Sequence, residues 1–158
     1  MNIFYLHKSP EMSAQYMCDK HVVKMILESA QLLCTSHHVC PTGIELPEKF
    51  YKQTHMNHPS AIWVRASADN YLWLTAHANA LLSEYTHRYE KQHASTPVIE
   101  WCSVNIPNIP DLGFTDIPQC MPDEYKMDDP VLGYRNYYNG AKSHIHSWKN
   151  RPVPVWVS

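Results

Sequence analysis

Cys18-Asp19-Lys20-His21-Val22-Val23-Lys24-Met25-Ile26-Leu27-Glu28-Ser29-Ala30-Gln31-Leu32-Leu33 decides how this chain is read. At about 3.6 residues per turn, Cys18, Val22, Met25, Ile26, Ser29, Leu32 and Leu33 fall on one apolar face, and Lys20, Lys24, Glu28 and Gln31 on another. The segment is a helix buried on one side. Its first turn gathers an acid, a lysine and a histidine at Asp19, Lys20 and His21, with Lys24 one turn on. These charges are either a solvated face or the start of a site; Lys before Glu is the weaker order for an i,i+4 pair, so they contribute little to helix stability.

Working outward, Asn2-Ile3-Phe4-Tyr5-Leu6 is short and apolar, a single strand or an extended segment against the core. Ser9, Pro10 and Glu11 read as N-cap, N1 and a favourable first-turn acid. The helix they open runs from Pro10 to about Ser36, or breaks near Cys18-Asp19 so that Asp19 caps a second helix. A helix start at Lys20-His21 would add backbone amides to the positive cluster and make an anion site. Residues 37–52, with Pro41, Gly43 and Pro47, read as a loop.

Thr54-His55-Met56-Asn57-His58-Pro59-Ser60 then leads into a second long helix, uninterrupted by Pro or Gly from Ala61 to about Lys91. Its expected core side is Trp63, Ala66, Leu74, Ala78, Leu81, Leu82, Tyr85 and Tyr89. A second line, Asn70, His77 and Glu84 at intervals of seven with Arg88 a turn beyond, is either solvent-facing or a polar seam in a groove. Residues 95–129 hold five prolines and read as a long irregular excursion with a short extended piece around Val98–Cys102. Asp128-Asp129-Pro130 opens a third helix, with Val131, Tyr134, Tyr138, Ala141, Ile145 and Trp148 inward and Arg135 and Lys142 on a cationic line. The segment Trp148–Trp156, basic and aromatic with two prolines, is expected to lie extended. The expected fold is mainly α, one compact domain over 1–158, with three or four helices, a long Pro-rich loop and a short N-terminal extended segment.

With 158 residues the chain can bury a substantial core. A formal charge of -2 and 18% charged residues exclude binding of nucleic acid by net charge alone, so any phosphate contact needs a local cluster. The five cysteines lack a C-x-x-C pair and read as reduced, mostly buried thiols. Cys18 and His21 at i,i+3 would hold a metal only if two further ligands converged on them, and no metal or cofactor is assigned. No secretory leader and no apolar run of about 18 residues is found. The expected location is cytoplasmic, with no membrane partner.

Cations interleave with aromatics at Lys20, Lys24, Arg88, Arg135, Lys142, Lys149 and Arg151, alongside Tyr134, Tyr137, Tyr138, Trp148 and Trp156. Such a surface suits phosphate on the cations and flat rings on the aromatics. Trp63 and Trp73 flank the polar line of the second helix in the same sense.

Asp19-Lys20-His21-Val22-Val23-Lys24-Met25 with Glu28 and Gln31, Asn57-His58-Pro59-Ser60-Ala61-Ile62-Trp63-Val64-Arg65, Glu84-Tyr85-Thr86-His87-Arg88-Tyr89, Tyr134-Arg135-Asn136-Tyr137-Tyr138 and Trp148-Lys149-Asn150-Arg151-Pro152 resemble a family of small proteins of tailed phages and some bacteria. The resemblance spans nearly the whole chain and extends remotely to pyrimidine-dimer DNA glycosylases. It implies a small all-helical fold that excises a damaged base with its N-terminal α-amine as nucleophile, a glutamate to stabilise the sugar intermediate, and a basic Trp/Tyr-rich tail. Two departures stand out. The glycosylases expose a small residue once Met1 is removed, whereas Asn2 is bulky enough to hinder that removal. No glutamate follows the expected arginine in the first helix; the nearest equivalents are His21 beside Lys20, with Glu28 two turns on.

Two readings follow. In the first the chain is a DNA base-excision N-glycosylase, with or without lyase activity, acting in a phage-infected host cytoplasm. Lys20 or the N-terminal amine attacks, His21 assists, and Glu28 or Glu84 stabilises the cationic sugar. A lysine nucleophile needs its pKa lowered by burial or a neighbouring cation, and the target base must be flipped out of the duplex. In the second the chain captures or hydrolyses a small nucleotide such as a host-defence signal. Both draw their phosphate and base contacts from Lys24, Asn57, His58, Trp63, Arg65, Asn70, His77, Arg88, Arg135, Tyr138, Lys142 and Arg151. A purely structural protein is the third option, and the oligomeric state is not specified by the sequence.

Overall fold

A computed structural model describes residues 1–158. It is all-helical, with six α-helices: α1 Pro10–Tyr16, α2 Asp19–Val39, α3 Pro59–Ala66, α4 Ala68–Tyr89, α5 Thr96–Val104 and α6 Pro130–Ala141. Short 3-10 turns lie at Asp123–Tyr125 and Ser143–Ile145. The count exceeds the three or four expected: the break near Cys18-Asp19 that the sequence allowed is present, the helix expected from Ala61 to about Lys91 breaks as well, and one segment read as extended is helical. No helix is long and apolar enough to cross a membrane.

The first break falls at Met17-Cys18, both in extended conformation. Cys18, not Asp19, is the N-cap of α2 and makes no side-chain capping bond. The Asp19 carboxylate is turned instead toward Arg88 at 3.0 Å, Ser147 Oγ at 2.8 Å and the Lys149 N–H at 2.9 Å. The apolar face read from the sequence is buried along its whole length from Cys18 to Leu33.

The second break is at Ser67, extended with φ -155° and ψ 146°. Here the excursion after α5 reaches in. The Ala68 N–H donates to the Pro110 carbonyl at 2.8 Å and Ser67 Oγ accepts from the Leu112 N–H at 3.1 Å, so the backbone groups freed by the break find partners. Val98–Cys102 is helical rather than extended. Its β-branched residues suggest a strand locally, but Val98, Ile99 and Cys102 are buried together at helical spacing, and Pro97 suits the first turn.

Residues 2–6 pair with no strand. Ile3, Phe4, Tyr5 and Leu6 are nevertheless buried, and side chains serve their backbone: the Leu6 N–H donates to Ser13 Oγ at 3.1 Å and Arg135 Nε donates to the Leu6 carbonyl at 3.0 Å.

Helix α4 lies at the centre, packed by α1, α2, α3 and α5. Its polar line is neither solvent-facing nor in an open groove. Asn70, His77, Glu84 and Arg88 are all at most 3% exposed: α1 lies across His77 and Arg88, Arg151 of the tail pairs with Glu84, and Thr115 of the excursion is bonded to Asn70. His77 Nδ1 sits 3.1 Å from the Pro10 carbonyl, and Arg88 donates to the carbonyls of Met17 at 2.8 Å and Gln15 at 3.0 Å. The guanidinium thus satisfies carbonyls that the end of α1 leaves open. Tyr89, expected on the core side of α4, is half-buried, and Ala66 at the end of α3 is exposed. A single apolar cluster runs from Ile3 to Tyr138.

Candidate active site

The stretch that sets the fold also lines a candidate site. Lys24 and Glu28, one turn apart on the outer side of α2, lie beside the chain start. The α-amine of Met1 is 3.5 Å from Glu28 Oε1, and Lys24 Nζ is 3.9 Å from Glu28 Oε2. Glu28 Oε2 is shielded from solvent yet has no hydrogen-bond partner. A buried carboxylate oxygen left open costs free energy unless something completes it.

These groups wall an open cleft of about 450 Å³, lined by Met1, Val23, Lys24, Leu27, Glu28, Gln31, His55 and His93. Val23 and Leu27, exposed at 39% and 41%, form its apolar side. His58 stands in the same field. Burial lowers its pKa, the charges of the chain start and His55 lower it further, and Glu28 acts the other way. Its Nδ1 caps α3 by accepting the Ser60 N–H at 3.1 Å. The His93 pKa is also lowered by burial, with the Val23 backbone opposing.

The remaining sequence candidates do not converge on this cleft. Glu84, Arg88 and Arg151 form a buried ion cluster with Asp19: Arg88 Nε to Glu84 Oε2 is 2.8 Å and Arg151 Nη2 to Glu84 Oε1 is 2.7 Å. Lys20, at the start of α2, is exposed. His21 is buried with its Nδ1 2.6 Å from the Tyr138 hydroxyl, under the Phe4 ring at 4.2 Å, and its pKa falls to about 3 through burial and the nearby Lys142 and Lys24. Tyr138 also accepts the Cys18 N–H at 3.3 Å, and Cys18 and His21 gain no further ligand: no group of three His, Cys, Asp or Glu is placed to hold a metal.

Trp63 and Asn70 fasten the excursion. Trp63 Nε1 donates to the Thr115 carbonyl at 2.9 Å, and Asn70 exchanges bonds with Thr115 at 2.8 and 2.9 Å. His77 is stacked on Trp73. Arg135 lies over both the Tyr16 and Trp156 rings, which contact each other edge-on, and Lys142 lies over Tyr137. Asn57 is exposed at the turn before α3, and Arg65 is half-buried with Nη1 unpartnered.

A family model described as pyrimidine dimer DNA glycosylase matches residues 1–96. The chain belongs to the pyrimidine dimer DNA glycosylase family. In this family member every residue lining the cleft, from Met1 to His93, falls inside the matched stretch, whereas Arg135, Lys142 and Arg151 fall outside it. Family membership carries a DNA glycosylase-like function and DNA as the class of partner at the family level. No curated protein and no solved structure matches the chain.

His55 and His93 were not singled out in the sequence. They sit in irregular connections on either side of α3–α4 and have no periodic relation to α2, so no local pattern marks them.

Proposed function

We propose that this protein is a DNA N-glycosylase that excises a modified or damaged base through the α-amine of Met1, with Glu28 as its partner. The observation that carries the reading is the 3.5 Å approach of that amine to a glutamate whose other oxygen is buried without a hydrogen bond and has only Lys24 Nζ at 3.9 Å, at the mouth of an open cleft.

The amine lone pair forms a bond to C1′ of the extruded nucleotide as the C1′–N bond breaks. The base leaves with that electron pair and takes up a proton. The attacking nitrogen loses a proton, the C1′–O4′ bond opens with protonation of O4′, and an imine results. Water then adds to the imine carbon, releasing the amine and an abasic sugar aldehyde. Glu28 faces the positive charge that develops on C1′ and O4′, where a fixed carboxylate in a partly water-excluded cleft is most effective. Lys24 and the histidines around the cleft supply contacts for phosphate, and Val23 and Leu27 offer an apolar surface to the sugar or base.

The test is borohydride trapping on duplexes carrying defined lesions, with an abasic duplex as control. The expected adduct maps by mass spectrometry to the peptide containing Met1 and is lost when the amine is blocked or extended by added residues. An adduct on Lys20 instead would refute the amine as nucleophile. Absence of any adduct, with tight binding of a mononucleotide, would refute the enzyme reading.

A further inference from the structure

An amine on a chain end serves as a nucleophile only when the end is held still, since a displacement of about 1 Å can cost on the order of a hundredfold in rate. Asn2 is bonded on every side of its amide. Its Oδ1 accepts the Ile3 N–H at 2.8 Å and the Phe4 N–H at 3.3 Å, and lies 2.8 Å from the Tyr134 hydroxyl. Its Nδ2 donates to the Cys120 carbonyl at 2.9 Å. Tyr134 is fully buried, accepts the Cys120 N–H at 3.2 Å and lies 2.9 Å from the Pro118 carbonyl.

The turn that closes around Asn2 Oδ1 places Phe4 at φ 60°, a left-handed conformation unfavourable for a bulky residue. Phe4 is 4% exposed, and its stacking on His21 pins the strained residue against α2, the helix that carries Glu28. The start of the chain is therefore fastened twice, by Asn2 to α6 and the 118–120 segment and by Phe4 to α2.

We propose that Asn2 is a positioning residue for the Met1 amine, acting with Tyr134 as a clamp that fixes the amine at Glu28. The proposal rests on the reading of the amine as nucleophile. It also assigns a task to residues 118–134, which lie outside the family-matched stretch: they set the angle at which the nucleophile enters the cleft.

The experiment uses the full chain with Asn2→Leu, Asn2→Asp and Tyr134→Phe, each checked by intact mass for retention of Met1. Single-turnover imine trapping gives the rate constant and its pH profile; fluorescence anisotropy gives the Kd for the same lesion duplex. Asn2→Leu is expected to slow imine formation by at least about tenfold and to shift its pH profile, with Kd within about twofold of the parent. Asn2→Asp keeps the acceptor for Ile3, Phe4 and Tyr134, and is expected to recover most of the rate. A parental rate in Asn2→Leu overturns the clamp and leaves the nucleophile reading standing, as does equal loss of rate and affinity. If Asn2→Leu does not fold, Tyr134→Phe decides: a slowed rate at unchanged Kd supports the clamp, and a parental rate overturns it. No imine in the parent protein overturns both readings.

Discussion

Arg88 donates from Nε to Glu84 Oε2 at 2.8 Å with the arginine side chain fully buried and the glutamate 3% exposed. This i,i+4 pair is tied to α1 through the Met17 and Gln15 carbonyls, to α2 through Asp19 and to the tail through Arg151. It joins four parts of the chain at one point. Removing one partner leaves an uncompensated charge in the interior, which typically costs about 3–5 kcal/mol. Arg88→Ala is therefore expected to lower the urea midpoint sharply or prevent folding. Parental stability in that variant would refute the structural role of the cluster.

The same cluster, with the buried histidines, sets the acid response. Burial alone would raise the Glu84 pKa, but hydrogen bonds and charge from Arg151 and Arg88 outweigh it and hold the carboxyl below its ordinary 4.5. Its stabilisation is present above about pH 4.5 and is lost as pH falls through the folded value. His21, His37 and His77 are depressed by burial from 6.5 to about 3, 4 and 4, so the unfolded chain binds protons that the fold refuses. Stability is expected to begin falling below about pH 6.5, and the Glu84 loss to add below about 4.5. Urea titrations from pH 8 to 3 check this; a flat profile between pH 6.5 and 5 would contradict the histidine part.

Glu28→Gln separates chemistry from folding. Both pairs of the mostly buried carboxylate are long, 3.5 Å to the Met1 amine and 3.9 Å to an exposed Lys24, and glutamine keeps the side chain's shape, so the melting temperature is expected to move little. Excision is expected to fall by about a hundredfold or more, as for loss of a group facing transition-state charge. Single-turnover assays beside thermal melts measure both. An active Glu28→Gln would remove the glutamate from the mechanism.

Lys20→Ala tests the other nucleophile. Lys20 is exposed at the first turn of α2. Trapping is expected to stay within about twofold of the parent, because surface substitutions away from special contacts change little. Loss of the adduct would reinstate Lys20.

Gly133→Ala probes how the long excursion is held. A Cβ there would collide with the Gln119 side chain, which bridges Met127 by accepting its N–H at 3.1 Å and donating to its carbonyl at 2.6 Å. Overpacking of this kind typically costs about 1–3 kcal/mol, so the melting temperature is expected to drop. An unchanged melt would show that Gln119 can move aside freely.

The periodicity of residues 18–33 settles that α2 is a helix and which face it buries, because a 3.6-residue repeat of apolar side chains is satisfied only by a helix against a core. The proline-led starts of α1, α3 and α6 were legible for an equally local reason, a cap followed by a residue with no N–H to leave unsatisfied. The Lys24–Glu28 spacing puts two of the eight residues that line the cleft one turn apart. What the sequence could not supply was which polar residues are spent on the fold. Asn70, His77, Glu84 and Arg88 have the spacing of a functional line, yet each is buried against a distant segment, and only the tertiary arrangement reveals the partners: Thr115 for Asn70, the Pro10 carbonyl for His77, Arg151 for Glu84, and the Met17 carbonyl and Asp19 for Arg88. A break near Cys18-Asp19 was one of the two courses open in the sequence, but the break at Ser67 and the approach of Met1 to Glu28 are long-range. They depend on where Tyr134, Pro110 and Leu112 come to rest, and no repeat along the chain encodes those distances.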